Sequence, residues 1–405
     1  MNGHILLREI GAALVLSAAL LAGCGGGGGS GDGGMQSGPA GGTGTLRVSL
    51  TDAPACGFDA VFVTVSKIRI HSSPSAPDAD TGWQEIVLLP PRRVDLLSLT
   101  NGVLFELGST PLPAGRYEQI RLELADNATV PMANSVVPTG GMQTALNTPS
   151  GQSSGIKLLA GIDVPRGETA DVVLDFDACR SIVRRGNSGR FNLKPVVSVI
   201  PLISAGAISG QVHPALLARG VEVTGQSNGQ VVKAAVPDAS GSFRLSPVAA
   251  GTYTVVITAA GSTTRAIAGV PVVTGGNTVL STPLQPVTLP DSPTGAVVGV
   301  VTPALAEAGV RALQSIGSVP VIEVAQVRAD GVTGGYQLTL PRANTQLANW
   351  GTGALPLLFF EVGGSGGRYT IEAWASGFVP NPATSPLLTL GAVPLTQNFA
   401  LIASP

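Results

Sequence analysis

AISGQVHPALLARGV, at residues 207–221, recurs as AVVGVVTPALAEAGV at residues 296–310, with Ala, Gly, Val and Pro at the same spacing. A second motif, DASGSFRL at 238–245, has its counterpart in residues 330–338, where an Asp, a Gly, an aromatic residue and a Leu return in the same order. Two motifs that repeat in one order indicate two homologous units in tandem. Both units contain short runs in which apolar and polar residues alternate, separated by Gly-containing turns, and this pattern predicts β-strands.

A third motif, GTYTV at 251–255, returns as GRYTI at 367–371, after an insertion that lengthens the second copy. Together the three motifs resemble the carboxypeptidase regulatory-like, or transthyretin-like, β-sandwich domain. The resemblance covers residues 204–289 and, in a diverged form, residues 294–405. It implies a fold and no particular activity. Because all three motifs lie within the first copy, we predict that this copy folds alone.

The composition of the whole chain favours the same fold class. The chain holds 54 Gly and 31 Pro among 405 residues, and only 12% of its residues are charged. Turn-forming residues are therefore abundant, and we expect a mainly β protein built from antiparallel β-sandwich domains in tandem. The net charge of −2 gives no electrostatic footprint for nucleic acid. We expect neither a nucleic-acid partner nor a cofactor.

Residues 45–203 form a different β-rich domain with its own motifs. These are TDAP at 51–54, DLLSLTNG at 95–102, LPAGRYEQIRL at 112–122 and DFDAC at 175–179. Together they resemble a bacterial lipoprotein family that is catalogued only as a domain of unknown function. The resemblance spans nearly the whole domain and implies no activity.

Two local features of this domain are predicted from its apolar pattern. Between residues 61 and 70 the apolar positions change parity, which indicates a β-bulge near Ser66 or Lys67. The less regular stretch at 94–107 predicts the only helical turn of the domain.

The first 24 residues carry an export signal. Residues 10–21 form an apolar run that is too short to span a bilayer. The run ends in LAGC at 21–24, which is similar to the lipobox that lipoprotein signal peptidases cut in front of a cysteine. We therefore predict a lipoprotein signal peptide at 1–23 and a lipid anchor on Cys24, with the membrane as a partner.

Residues 24–44 follow as a tether. They are rich in Gly and Ser and contain almost nothing that a folded core would bury. In many Gram-negative lipoproteins, an aspartate directly after the lipidated cysteine resembles an inner-membrane retention signal. Here the residue at that position is Gly25. This favours the outer membrane of a Gram-negative cell, with the body on the periplasmic or the outer side.

Two cysteines remain besides the lipid anchor, Cys56 and Cys179. Both lie in the N-terminal domain, and export would place them in an oxidising compartment. We predict a disulfide between them. The alternative is two buried free thiols.

Three carboxylates in the N-terminal motifs are candidate metal ligands. Asp52, Asp175 and Asp177 would supply the oxygen ligands that calcium prefers, if their strands are neighbours. The alternative places Asp52 in a turn and the other two on an exposed strand face. A metal-dependent or accessory enzyme that uses this cluster is the enzyme hypothesis that the sequence leaves open.

Aromatic residues give the candidate ligand contact. Trp350 lies in a Gly-rich stretch of the insertion that lengthens the last domain. Its indole is a suitable platform for a sugar ring, and the alternative is that it caps the sandwich. The tyrosines of the repeated Gly-Xaa-Tyr motif are expected in the core; they are Tyr117, Tyr253 and Tyr369.

One catalytic pattern is present, because GGSGG at 363–367 satisfies the Gly-Xaa-Ser-Xaa-Gly motif of serine hydrolases. Strand-like runs flank it on both sides, and the sequence has no histidine after it. We therefore predict a hairpin tip. The sequence as a whole favours a membrane-anchored envelope lipoprotein that is not an enzyme and has a binding or structural role. A glycan of the cell wall or surface, or an envelope protein, is the candidate partner.

Overall fold

Short strands and Gly-containing turns alternate along the chain. The computed structural model describes residues 42–53, 57–149, 151, 154–317, 319–351, 355–379 and 382–404. These residues belong to one compact unit that extends from residue 41 to residue 405. The predicted fold class is confirmed: the protein is mainly β, and its sheets, mostly antiparallel, follow one another in tandem.

The N-terminal segment, residues 43–203, forms two sheets around one core. Its strands are β1 (Thr43–Ala53), β2 (Phe58–His71), β3 (Gln84–Asp95), β4 (Phe105–Pro113), β5 (Gly115–Leu124), β6 (Ser135–Pro138), β7 (Thr144–Asn147), β8 (Ile156–Val164), β9 (Thr169–Asp177), β10 (Ile182–Arg185), β11 (Arg190–Leu193) and β12 (Val197–Pro201). One sheet has the order β12-β9-β1-β4, and the other has eight strands. Alternate residues of each strand face the shared core, as Leu46, Val48 and Leu50 do in β1.

The predicted bulge in β2 is confirmed. The register of β2 shifts between Val65 and Lys67 against both β3 and β5. The extra residue turns Ile68 to the same core as Val65, and both are fully buried. The predicted helical turn is the 3-10 helix Leu96–Leu99. It is not the only one, because the short α-helix Ala178–Ser181 follows β9.

The middle segment, residues 204–292, is entered through the 3-10 helix Leu202–Ser204 and contains a second one, Pro214–Arg219. Its strands are β13 (Ala205–Gln211), β14 (Glu222–Ser227), β15 (Gln230–Ala235), β16 (Ser242–Ala249), β17 (Gly251–Thr258), β18 (Arg265–Val272) and β19 (Asn277–Val279). One sheet has the order β16-β13-β19. The other begins β15-β14-β17-β18 and continues into the next segment.

The C-terminal segment, residues 293–404, repeats this plan and includes the 3-10 helix Ala304–Ala306. Its strands are β20 (Thr294–Thr302), β21 (Gly309–Gln314), β22 (Ile322–Arg328), β23 (Gly335–Pro341), β24 (Gln346–Asn349), β25 (Phe360–Glu361), β26 (Arg368–Trp374), β27 (Ala383–Thr384), β28 (Leu388–Thr389), β29 (Leu395–Thr396) and β30 (Phe399–Ala400). One sheet is centred on β20, and the other contains β22, β21 and β26 in that order.

The repeat seen in the sequence has the same backbone geometry in both copies. Gly241 and Gly334 both have positive φ, 88° and 71°. A Cβ at Gly241 would lie 2.2 Å from the carbonyl oxygen of Val212, and one at Gly334 would lie 2.3 Å from that of Val301. Only glycine fits either turn without a clash.

The tyrosines of the Gly-Xaa-Tyr motif are core residues, as expected. Tyr117, Tyr253 and Tyr369 are 7%, 9% and 0% exposed. Each hydroxyl donates to a backbone carbonyl oxygen, and two of these acceptors, Pro113 and Ala249, lie four residues before their tyrosine. The motif therefore fixes a strand entry through packing and one hydrogen bond.

The insertion of the C-terminal segment completes the sheet of the middle segment. Strand β24 pairs in parallel with β18, and β25 pairs with β24, which gives a six-stranded sheet. Ala348 of β24 is fully buried in the core of the middle segment. Strands β24 and β25 therefore extend a sheet of the middle sandwich, and Leu347 of β24 packs in the core of the C-terminal segment. No helix among the described residues has the length and hydropathy needed to cross a bilayer.

Candidate binding site at the junction of the three segments

Buried charged side chains link the three segments. Glu323 of β22 is 4% exposed, and its carboxylate accepts hydrogen bonds from Arg180 of the N-terminal segment and from Arg311. Its backbone N–H donates to Oε1 of Gln226 at 2.8 Å, and Gln226 Nε2 donates back to the Glu323 carbonyl oxygen at 2.7 Å. One glutamate therefore contacts all three segments.

A second set of contacts joins the N-terminal and C-terminal segments. Arg328 Nε donates to the carbonyl oxygen of Arg180 at 2.7 Å, and burial lowers the pKa of Arg328 to about 10. The backbone N–H of Gly186 donates to Asp330 Oδ2 at 2.7 Å. Groups that would be costly to bury alone satisfy one another here, which fixes how the segments dock.

A cavity of about 630 Å³ lies where these contacts meet. Its volume falls within the range of roughly 300–1,000 Å³ that small-molecule pockets occupy. Its apolar wall includes Phe58, Ile182, Phe191, Val324 and Val327. An apolar wall with a few polar groups is the usual composition of a ligand pocket.

Two polar residues, Glu222 and Gln326, are among those that line the cavity. Gln326 Oε1 is buried without a hydrogen-bond partner among the described residues. Glu222, at the start of β14, lines the same cavity, and burial raises its pKa to about 7, although the charge of Arg180 opposes the shift. The cavity therefore fits a small amphipathic molecule that donates hydrogen bonds through hydroxyl or amino groups.

Asp52 lies in β1, not in a turn. Its Oδ1 accepts a hydrogen bond from the backbone N–H of Ala178 at 3.0 Å, and within the described residues its buried Oδ2 has no partner. Burial, and after it the charge of Asp177, raises the pKa of Asp52 well above its usual value. This environment favours the protonated carboxyl, which is a poor ligand for calcium.

The other two aspartates are engaged by cationic side chains. Asp175 Oδ1 lies 2.5 Å from Lys233 Nζ. Asp177 Oδ1 accepts a hydrogen bond from the backbone N–H of Arg180 at 3.0 Å, and Asp177 Oδ2 forms an ion pair with Arg180 Nε at 3.2 Å. The part of the chain that the structure describes has no group of three or more His, Cys, Asp or Glu arranged to hold a metal ion. The predicted calcium site of Asp52, Asp175 and Asp177 is therefore not formed, because lysine and arginine nitrogens supply the positive charge.

Cys179 is disulfide-bonded, so the alternative of a free thiol does not hold for this residue. Cys56, its predicted partner, lies outside the described residues. Cys24, the predicted lipid anchor, also lies outside them.

Trp350 lies in a second cleft, of about 510 Å³. It is half-buried, packs against the core of the middle segment, and its backbone N–H donates to the carbonyl oxygen of Ala268 at 2.8 Å. Gln226, Asn228 and Asn349 line the same cleft. The indole therefore combines a structural contact with a position beside polar amide groups.

The GGSGG stretch at 363–367 is not a hairpin tip. It connects β25, in the shared sheet, to β26, which belongs to a different sheet. Ser365 Oγ donates to the carbonyl oxygen of Val362 at 2.7 Å and accepts from the backbone N–H of Thr345 at 2.9 Å. The hydroxyl is buried and holds the turn together.

The charged residues of the junction were not predicted from the sequence; they include Glu222, Arg311 and Glu323. A signal was present, because Glu323 interrupts the apolar face of VIEVAQV at 321–327. A charged residue in such a run indicates either an exposed face or a buried partner. Only the structure shows that two of its partners, Arg180 and Gln226, come from other segments.

The comparisons with known proteins give one family match and several weak structural matches. No curated protein matches the chain. A mutant type II cohesin–X-dockerin complex from Acetivibrio cellulolyticus is 35% identical over 21% of this chain and 56% of that chain, with a TM-score of 0.18. A streptococcal ancillary pilin is 10% identical over 90% of this chain and 99% of that chain, with a TM-score of 0.18.

The major pilin BcpA of Bacillus cereus is 10% identical over 89% of this chain and all of that chain, with a TM-score of 0.17. The chain spans little more than half the length of the cohesin–dockerin chains it matches, 56% and 58%. Structural similarities this low carry no argument about this protein. Residues 43–195 match the model of a family described as a domain of unknown function, DUF4382, and this range overlaps residues 45–203, whose motifs resemble such a family.

Proposed function

We propose that this chain is a lipoprotein of the cell envelope whose β-sandwich body serves as a binding module without enzymatic activity. The observation that carries the binding role is the junction cavity, with its apolar wall and the carboxyl group of Glu222. The buried contacts of Glu323 hold the walls of this cavity together. Such a preformed cavity binds a ligand without the entropic cost of ordering its walls.

The proposed ligand of the cavity is a small amphipathic molecule with hydroxyl or amino donors. A fluorescent amphipathic amine and its quaternary, non-donating analogue would test this on the purified body. We expect the amine to bind at least tenfold more tightly. Glu222→Gln should narrow this difference, whereas Glu361→Gln, which alters an exposed glutamate, should not. Equal binding of both probes, or binding of neither, would contradict the proposed ligand class.

The proposed anchor rests on LAGC at 21–24 and on the Gly-rich stretch that follows it. A lipid needs the sulfur of Cys24, so Cys24→Ala should leave an uncleaved precursor or release the protein from the membrane fraction. Ser30→Ala, in the same stretch, is the matched control and should fractionate as the wild type does. Normal membrane retention of Cys24→Ala would refute the anchor.

The proposed location is the outer membrane, since Gly25 replaces the aspartate of the retention signal. Gly25→Asp should therefore move the protein to the inner-membrane fraction of a Gram-negative host. An unchanged distribution would remove this support for the outer membrane.

A glycan-binding role is the second candidate, and the cleft of Trp350 favours it. The indole lies in the same cleft as the exposed residues Asn228 and Asn349, whose amide groups can bind sugar hydroxyls. Trp350→Ala should weaken retention on cell-wall glycan, whereas Phe360→Ala, which removes an exposed aromatic ring in β25, should not. If Trp350→Ala lowers only the stability, the indole has a structural role alone.

A further inference from the structure

Lys233 and Asp175 form a buried pair between two segments. Lys233 lies in β15 of the middle segment, Asp175 lies in β9 of the N-terminal segment, and Nζ is 2.5 Å from Oδ1. Their side chains are 1% and 7% exposed. Bulk water therefore does not separate the amine from the carboxyl group, and the surrounding segments hold the two groups in contact.

The pair adjoins a small cavity and a second carboxyl group, that of Asp177. Asp175, Asp177 and Lys233 line a cavity of about 40 Å³, which is large enough for a water molecule. Asp177 is two residues from Asp175 on β9, so both side chains lie on the same face of the strand. Arg180 holds Asp177 in place through its backbone N–H and its guanidinium group.

Burial weakens the ionic form of this pair. The pKa of Asp175 is raised by burial, although the charge of Lys233 opposes the shift, and burial also raises the pKa of Asp177. Two buried charges lose their hydration, and their mutual attraction compensates for that loss only in part. The same proximity that makes an ion pair also holds the amine next to the carboxyl group, as an intramolecular reaction requires.

We propose that Lys233 and Asp175 condense to form an amide bond between Nζ and Cγ, which links the N-terminal and middle segments covalently. In this step Asp177 accepts a proton from the Lys233 ammonium group, and the neutral amine attacks Cγ of Asp175. The C–N bond forms as one Cγ–O bond breaks. The nitrogen loses two protons in total, both leave with the departing oxygen as water, and Asp177 is regenerated. No oxidant or reductant is consumed.

The cross-link is independent of the proposed anchor and of the proposed ligand. It needs only the folded body, because the two residues are 58 positions apart in the chain and meet through packing. It would remove both charges from the interior and replace them with a neutral amide.

Tryptic mass spectrometry of the full chain, purified from the cells that express it, denatured, reduced and alkylated, tests the proposal without any variant. Trypsin does not cut after a lysine whose amine is acylated. We therefore expect peptide 167–180 joined to peptide 220–244, with a mass lower than their sum by one water. Recovery of free peptides 167–180 and 220–233, with no linked species, would overturn the proposal and leave an ion pair.

Variants test whether Lys233 forms the bond and whether Asp177 assists its formation. Lys233→Arg should abolish the linked peptide, whereas Lys157→Arg, which alters an exposed lysine, should leave it intact. Asp177→Asn should give a mixture of linked and free peptides in folded protein. Complete linkage in that variant would contradict the role given to Asp177, and linkage in Lys233→Arg would contradict the assigned bond.

Discussion

Replacing Glu323 with alanine should destabilise the body by separating its segments. The change removes the acceptor of Arg180 and of Arg311, and it leaves both guanidinium groups buried. Breaking a buried ion pair usually costs about 3–5 kcal/mol. Arg180 keeps Asp177 and Arg311 keeps Glu372, so we expect about 3 kcal/mol.

The size of the body converts this free energy into a shift in melting temperature. With an unfolding entropy of about 2.1 cal/mol/K per residue over roughly 360 residues, about 3 kcal/mol lowers the Tm by about 4 °C. Calorimetry and urea denaturation of the purified body would measure the change. Glu361→Ala, in the exposed part of β25, is the matched control and should stay within about 0.5 kcal/mol of the wild type.

A double-mutant cycle with Arg180 isolates the contact between segments. If Glu323 and Arg180 interact as described, the coupling free energy should exceed about 1 kcal/mol. A Glu323→Ala variant as stable as the control, or a coupling free energy near zero, would refute the view that this contact joins the segments.

Three further predictions follow from the fold and the junction. The pKa of Glu222 is about 7 in the folded protein, above its value of 4.5 in the unfolded chain, so the folded state binds more protons between these values and stability should fall as pH rises through this window. Glu222→Gln should lessen the fall between pH 5 and pH 8 measured by urea denaturation, and an unchanged pH profile would contradict this. Gly334→Ala should lower the free energy of unfolding by roughly 3 kcal/mol or more, because φ is positive and the new Cβ would clash with the carbonyl oxygen of Val301. Gly140→Ala is the control, with a similar φ and open space around it, and it should lower the free energy of unfolding by about 1 kcal/mol. Equal losses of stability in thermal unfolding would contradict the clash. Residues 204–289 should fold alone and give a circular dichroism spectrum rich in β-strand. A fragment extended to residue 362 should be more stable, because it adds β24 and β25 to the sheet. A random-coil spectrum from the extended fragment would contradict the packing described.

The sequence predicted those features that depend on local pattern. Alternation and turn residues gave the β class, the parity change gave the bulge between Val65 and Lys67, and the repeated motif placed Tyr253 in the core. These features were predictable because periodicity and turn chemistry act over a few residues.

The junction depends on contacts that are distant in the chain, and it could not be predicted in this way. The sequence predicts a calcium ligand or an exposed residue at Asp175, because nothing near it in the sequence shows that Lys233 approaches it. Glu323 and Arg180 are 143 positions apart, and no short-range pattern couples them. Chain order assigns the insertion that contains β24 to the last domain, because it does not show that β24 pairs with β18 of the middle segment.

The strand shared between the middle and C-terminal segments has a consequence for synthesis of the chain. A ribosome completes β18 well before it reaches β24, so the middle sandwich first exists with the hydrogen-bonding groups along one side of β18 unpaired. Unpaired edges of this kind recruit strands from other molecules. The nascent chain is therefore most prone to aggregation after residue 272 has emerged and before residues 346–349 follow, and a ribosome that stalls in this interval would leave the product with an open edge.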